Sequence, residues 1–295
     1  MGSKRKLIAL LQVRWLGQII DGVFQSALAT YVLFSPERQP SAIAAATSFA
    51  VVLLPYSIVG PYVGIILDQF SRQKIVLVAN AVRAINVVAI ALIIKSGATG
   101  VLLTLFVLIS FGINRLILAG LSAGLPLLTS RQSLITANAW AVTGGTLGIV
   151  LGGGMGVGVK GWLDQSFSSD FSSFILLLIA AGGYAITALT TTALSHHDIG
   201  PHEDHRASEI HGWREMVAGF RDLRRHRDAY QGIIATAIQR AGTTALTLIG
   251  LLLERNTYHS PSHPDAGLKG FAFALLSSHL GQWKNSADIY GSEWP

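Results

Sequence analysis

Seven apolar runs of helix length divide this chain, at residues 15–34, 42–67, 75–94, 100–118, 137–159, 171–194 and 229–253. A span needs about 20 predominantly apolar residues to cross a hydrocarbon core of about 30 Å. Backbone in lipid must satisfy its own hydrogen bonds, which makes helices the natural form for such runs. Charged residues are only 13% of the chain and hydrophobic ones 51%, against about 25% charge in a soluble domain. Mean hydropathy is +0.49. The expected fold class is therefore an all-α membrane protein. The net charge of +6 is not gathered into one reading surface, so nucleic acid is not expected as a partner. The basic residues recur between apolar runs, which favours anionic lipid and a fixed orientation instead. No cysteine is present, so disulfides and thiolate-metal sites fall away.

Basic residues sort by side. One set of connections holds Arg38, Lys95 and Lys160; the other holds Lys4, Arg5, Lys6 and Arg14, then Arg72 and Lys74, Arg131, and six arginines between 206 and 227. The positive-inside rule then puts the N-terminus in the cytoplasm, in a multi-pass plasma-membrane protein. The basic N-terminus lacks a small-residue cleavage site after its first apolar stretch, so that stretch is read as a retained helix. The expected organisation is a six-helix bundle over 1–194, a cytoplasmic central loop over 195–228, and an incomplete second bundle with a polar tail over 229–295. Within the loop, Trp213, Met216, Val217, Phe220 and Leu223 recur at helical spacing with arginines on the other face, as in a basic amphipathic helix on an inner leaflet. An eighth apolar stretch begins at Gly270 and stops after Leu276.

Gly64, Asp68, Arg72 and Lys74 stand in the break between the second and third runs. This segment resembles the loop signature of the major facilitator superfamily, Gly-x-x-x-Asp-(Arg)-x-Gly-Arg-(Lys)-(Arg), with Ser71, Gln69 and Gln73 in place of the family's usual residues. The resemblance implies two helical bundles rocking about a central site, with Asp68 as part of a cytoplasmic gate. Asn114 to Gly124 loosely resembles the family's fourth-helix pattern, which implies for Arg115 a part in proton coupling or in the cytoplasmic charge cluster; snorkelling to the headgroups is the alternative. Gly144, Gly148, Gly152 and Gly153 fall on the spacing of the family's antiporter signature, with Ile149 where that has Pro. Read without the family, Gly144, Gly148, Gly152 and Gly156 are a smooth stripe for close helix packing.

Ionisable residues inside spans need a reason. Asp21 lies in the first run with Gln18 and Gln25 a turn to either side, a polar stripe suited to binding a cation or carrying a proton; a structural carboxylate bonded to a neighbouring helix is the alternative. Arg83 lies in the third run near Asn80 and Asn86, and either pairs with an acid such as Asp21 or faces a watery cavity. Arg240, beside Gln239, raises the same question in the seventh run. The histidines and acids from His196 to His205 form a polar loop with no recognisable metal-site spacing.

No nucleophile elbow, phosphate loop or His-Glu-x-x-His appears, and neither an enzyme nor a cofactor is expected. The expected function is a secondary active transporter of a small organic solute, of the proton-linked efflux kind implied by the resemblance. Twelve spans would need roughly 400 residues and this chain has 295. Two alternatives stand beside transport: an assembly or regulatory subunit, or an inactive truncated remnant. A homodimer with two bundles face to face would restore the missing wall.

Overall fold

The computed structural model describes residues 3–28, 62–64, 66–98, 100–195, 198–200, 219, 221–253 and 257–258. Six long helices run through them: α1 (Ser3–Leu28), α2 (Arg72–Lys95), α3 (Val101–Leu128), α4 (Leu134–Leu163), α5 (Ser169–Thr191) and α6 (Arg227–Leu253). No strand occurs among the described residues. Helices α1 to α5 are each long and apolar enough to cross a membrane, as an all-α membrane protein requires. The second apolar run lies largely outside the described residues; its end, at 62–64 and 66–69, is helical. The amphipathic stretch of the loop up to 218, Pro55 and the stretch from Gly270 lie outside them as well.

The punctuation is local. Helix α2 stops where the Ser96 N–H bonds back to the Leu92 carbonyl at 3.0 Å and Gly97 turns to a φ of 73°, a conformation glycine takes without penalty. Helix α5 starts where the Ser168 hydroxyl accepts from the Phe171 N–H, with Asp170 in the first turn favoured by the helix dipole.

The chain divides into two compact units. The first contains α1 to α5, and α6 belongs to the second. In the first unit α1 lies against α4, α5 and α3, while α2 lies against α5 and α3. Two apolar clusters form its core. One gathers Phe24, Ile90, Val107, Phe111, Leu177 and Tyr184. The other, toward the starts of α1 and α2, gathers Leu10, Val13, Val76, Leu121, Leu125, Leu194 and Ile199.

Two boundaries differ from the sequence expectation. Helix α3 continues past Leu118 to Leu128 with Pro126 inside it, because neighbours can re-satisfy backbone groups that a proline frees in a membrane helix. Arg115 therefore stands near mid-helix, about 20 Å of rise from Leu128, rather than near the inner end. Helix α6 covers the expected seventh run but is not among the five span-capable helices; Arg227, Asp228, Gln231, Gln239 and Arg240 dilute it.

A buried charge cluster and a basic-end loop

Residue spacing on three helices brings four polar side chains to one level between the two apolar clusters. Asp21 on α1 and Arg83 on α2 are 0% and 1% exposed. The Arg83 guanidinium donates to the Asp21 carboxylate at 2.5 Å. The Tyr184 hydroxyl on α5 donates to the same carboxylate at 2.7 Å, and the Gln18 amide donates to its other oxygen at 2.8 Å. Arg83 also lies against the Tyr184 ring, 4.2 Å from its centroid, with Phe24 at 5.7 Å. Phe24 meets Tyr184 and Phe111 edge-on, so the cation has aromatic faces on one side and a carboxylate on the other. Some 16 Å of helix rise separates Arg83 from Arg72 at the start of α2, too far for snorkelling to the surface.

Chemically the cluster is a desolvated ion pair held by charge-assisted hydrogen bonds. It opens only if something replaces one partner, since removing one charge leaves the other buried and uncompensated. Of the two placements open to Arg83, the structure gives the pair with Asp21. Gln25 is exposed and outside the cluster; Asn80 and Asn86 bond instead to Val76 and to Phe106 and Ser110. Tyr184 was not singled out from sequence, although it is the only phenol in the 171–194 run. Arg115 is exposed on α3, on the same face as Ser122 two turns on. It is not part of the cluster, nor does it meet Asp68 among the described contacts. Arg240 is exposed on α6.

The loop residues form a second site where α1, α2 and α4 start and α3 and α5 end. Arg72 is its hub. Its guanidinium donates to the carbonyls of Leu67 at 3.3 Å, Ala123 at 3.0 Å and Ile199 at 3.3 Å, while the exposed Asp68 carboxylate is 3.5 Å away. Gly64 and Lys74 are exposed, Lys74 at the rim of an apolar groove of about 460 Å³ between α2 and α3. Asp198, one of the acids in the His196–His205 stretch, is bonded to Lys6 at 2.6 Å and to the Ser195 N–H. Among the described residues no group of acids and histidines is placed to hold a metal.

The glycine stripe of α4 faces α1. A Cβ at Gly152 would collide with the Ile19 carbonyl, one at Gly144 with the Trp15 indole and one at Gly156 with Ser26. At Gly148 the nearest atom, the Trp15 carbonyl, would be 3.1 Å away. Gly153 has only the Gly22 carbonyl, at 3.9 Å. Gly144, Gly148, Gly152 and Gly156 thus lie close against α1, while at Gly153 the contact is ordinary.

No family model matches the chain, and no solved structure matches it. Two mycobacterial proteins do, from Mycobacterium bovis and Mycobacterium tuberculosis, both described as uncharacterized MFS-type transporters. Each is 34% identical over 203 residues, covering 69% of this chain and 45% of the relative. The chain thus spans about half the length of the curated relatives it matches. With its span-length helices, its Gly64–Lys74 loop and this likeness, the chain belongs to the major facilitator superfamily of membrane transporters.

Proposed function

We propose that the protein works as a secondary active transporter in the plasma membrane, N-terminus inside, exporting a small organic solute in exchange for protons. The observation that carries this reading is the buried Asp21–Arg83 pair in a relative of MFS-type transporters. Charges at mid-span are costly, about 2.5–3.5 kcal/mol each on insertion scales, and well-packed apolar residues often serve a core as well or better. A pair kept there has a use if it exists in two states. In the closed state Asp21 is satisfied by Arg83, Tyr184 and Gln18. In the other, a proton on Asp21 takes the place of Arg83, and solute and proton compete for the opened site. Arg115 and Gln25, both exposed, are the polar groups nearest in kind to what a solute path needs. The Gly64, Asp68, Arg72 and Lys74 loop serves as the inner gate. The opposing wall comes from a second bundle, either more of a longer chain or a second copy of this one.

A second reading, a membrane bundle that assembles or regulates without transporting, draws on the closure of the same pair, since Asp21 has no exposed surface. Reconstitution separates them. The full chain is placed in liposomes with a lumenal pH dye, a proton gradient is imposed, and lipophilic cations such as tetraphenylphosphonium and small organic anions are added in turn. Solute-dependent collapse of the gradient supports transport. No response to any solute, at equal insertion, supports the non-transporting bundle.

A further inference from the structure

The short segment Asp198, Ile199 and Gly200, just beyond α5, is bound to the basic end of the first unit by four kinds of contact. Its carboxylate takes the Lys6 ammonium of α1 at 2.6 Å. Its aliphatic side chain, Ile199, is fully buried in the apolar cluster with Leu121, Leu125 and Leu194. Its backbone feeds Arg72 twice: the Ile199 carbonyl accepts from the guanidinium at 3.3 Å, and the Gly200 carbonyl accepts from the Arg72 N–H at 2.9 Å. Gly200 holds a φ of 72°, which a side chain would strain. The socket is shaped on the α3 side by Gly124, where a Cβ would stand 2.7 Å from that of Ile199.

The same Arg72 guanidinium holds the helical end of the second apolar run at Leu67 and α3 at Ala123. One side chain is therefore shared between the Gly64–Lys74 loop and the segment that leaves α5. We infer that Asp198–Gly200 is a latch: the start of the linker plugs the basic end of the bundle, and the loop around Asp68 cannot rearrange without releasing it. The coupling is mechanical and does not depend on which solute, if any, is moved. Arg72 acts here as a positioning residue for the linker as well as a partner of Asp68. Burial alone would raise the Asp198 carboxyl, but the Lys6 ammonium and the Ser195 N–H outweigh it and hold it below the usual carboxylate range, as a seated latch requires.

The absence of cysteine allows a direct test on the full chain in membranes. A single cysteine at Ile199 reads whether the segment is seated, and in a separate chain one at Gln69 reads the loop. Maleimide labelling rates are compared in otherwise unchanged chains and in Asp198→Asn and Gly124→Ala backgrounds, the latter disturbing the socket without altering a charge. A cysteine at Ser166, at the opposite end of the helices, controls for general unfolding. The latch predicts that both reporters speed up together, roughly ten-fold for Asp198→Asn as for a lost charge-assisted hydrogen bond, with Ser166 unchanged. The swap Lys6→Asp with Asp198→Lys should return the Gln69 rate toward that of the unchanged chain. Faster labelling at Ile199 with no change at Gln69 would overturn the coupling, and no change at either would overturn the latch itself.

Discussion

At the scale of single residues, Asp21 and Arg83 each have their buried charge compensated only because the other is there. Asp21→Asn removes the charge that compensates a buried guanidinium, so it should destabilise the bundle by about 3–5 kcal/mol, read as lower detergent-solubilised thermal stability. That consequence is not legible in sequence, where the carboxylate in the first run has no assigned partner. The swap Asp21→Arg with Arg83→Asp is the better probe. Rescue of stability without rescue of proton-driven flux separates pairing from coupling, whereas recovery of both would leave the pair a structural role. Tyr184→Phe removes one of three donors to the carboxylate and keeps the ring under Arg83. Its expected cost is about 1.5 kcal/mol, the lower end for a bond to a charged group, and an unchanged melting temperature would contradict it. Asp21 and Arg83 were legible because an unpaired charge in an apolar run demands an explanation. Tyr184 was not, because a phenol is at home in a membrane helix whether or not it is bonded. Gln25 looked equivalent to Gln18 from spacing; which glutamine reaches Asp21 depends on what α4 and α5 cover.

At the scale of elements, the contact of α1 with α4 rests on the absence of side chains. Small residues let backbones approach where the lipid supplies no hydrophobic drive, and Gly152 sits where a methyl would strike the Ile19 carbonyl. Gly152→Ala should therefore separate the helices at a cost of about 1–3 kcal/mol for overpacking. Gly154→Ala, with open space around it, should cost nothing; equal melting temperatures for the two would refute the seam. The glycine stripe and the helices themselves were legible from spacing and run length, because both are local properties. The ends were less so: Ala119 to Leu128 contains two glycines and a proline, the usual marks of a turn, yet lies within α3. The latch was also hidden, since a buried Ile199 in a polar stretch is defined only by the socket that Gly124 leaves. Its pH response follows from Asp198. A carboxyl depressed in the folded state contributes stability that is present above its unfolded value, about pH 4, and is lost as pH falls through the folded value. Labelling of a cysteine at Ile199, taken relative to the Ser166 control at the same pH so that the thiol's own ionisation cancels, should thus be flat from pH 8 to about 5 and rise only under stronger acid; a rise near pH 6 would assign the seat to some other group.

At the scale of the whole molecule, the order of the helices sorts the charges by end. Lys4, Arg5 and Lys6 open α1, Arg72 and Lys74 open α2, and Arg131 lies between α3 and α4. At the opposite end stand Lys95, over the Phe174 ring, and Lys160, bonded to Asp164 and Ser169. Both of those lysines have local structural work at helix ends, as Lys6 has with Asp198, but Lys4, Arg5, Lys74 and Arg131 leave the Arg72 end with the larger number of cations among the described residues. Lys and Arg in short connections hold their side of a membrane to the cytoplasm, so the Arg72 end should face inward, together with the latch and the loop around Asp68. Ser130 and Ser166 are exposed on opposite ends and the chain has no cysteine to remove. In intact cells, a membrane-impermeant maleimide should label a cysteine at Ser166 and reach one at Ser130 only after permeabilisation. The reverse pattern would put the Asp68 loop outside, and with it would fall both the inner-gate role of Arg72 and the inward seat of the latch.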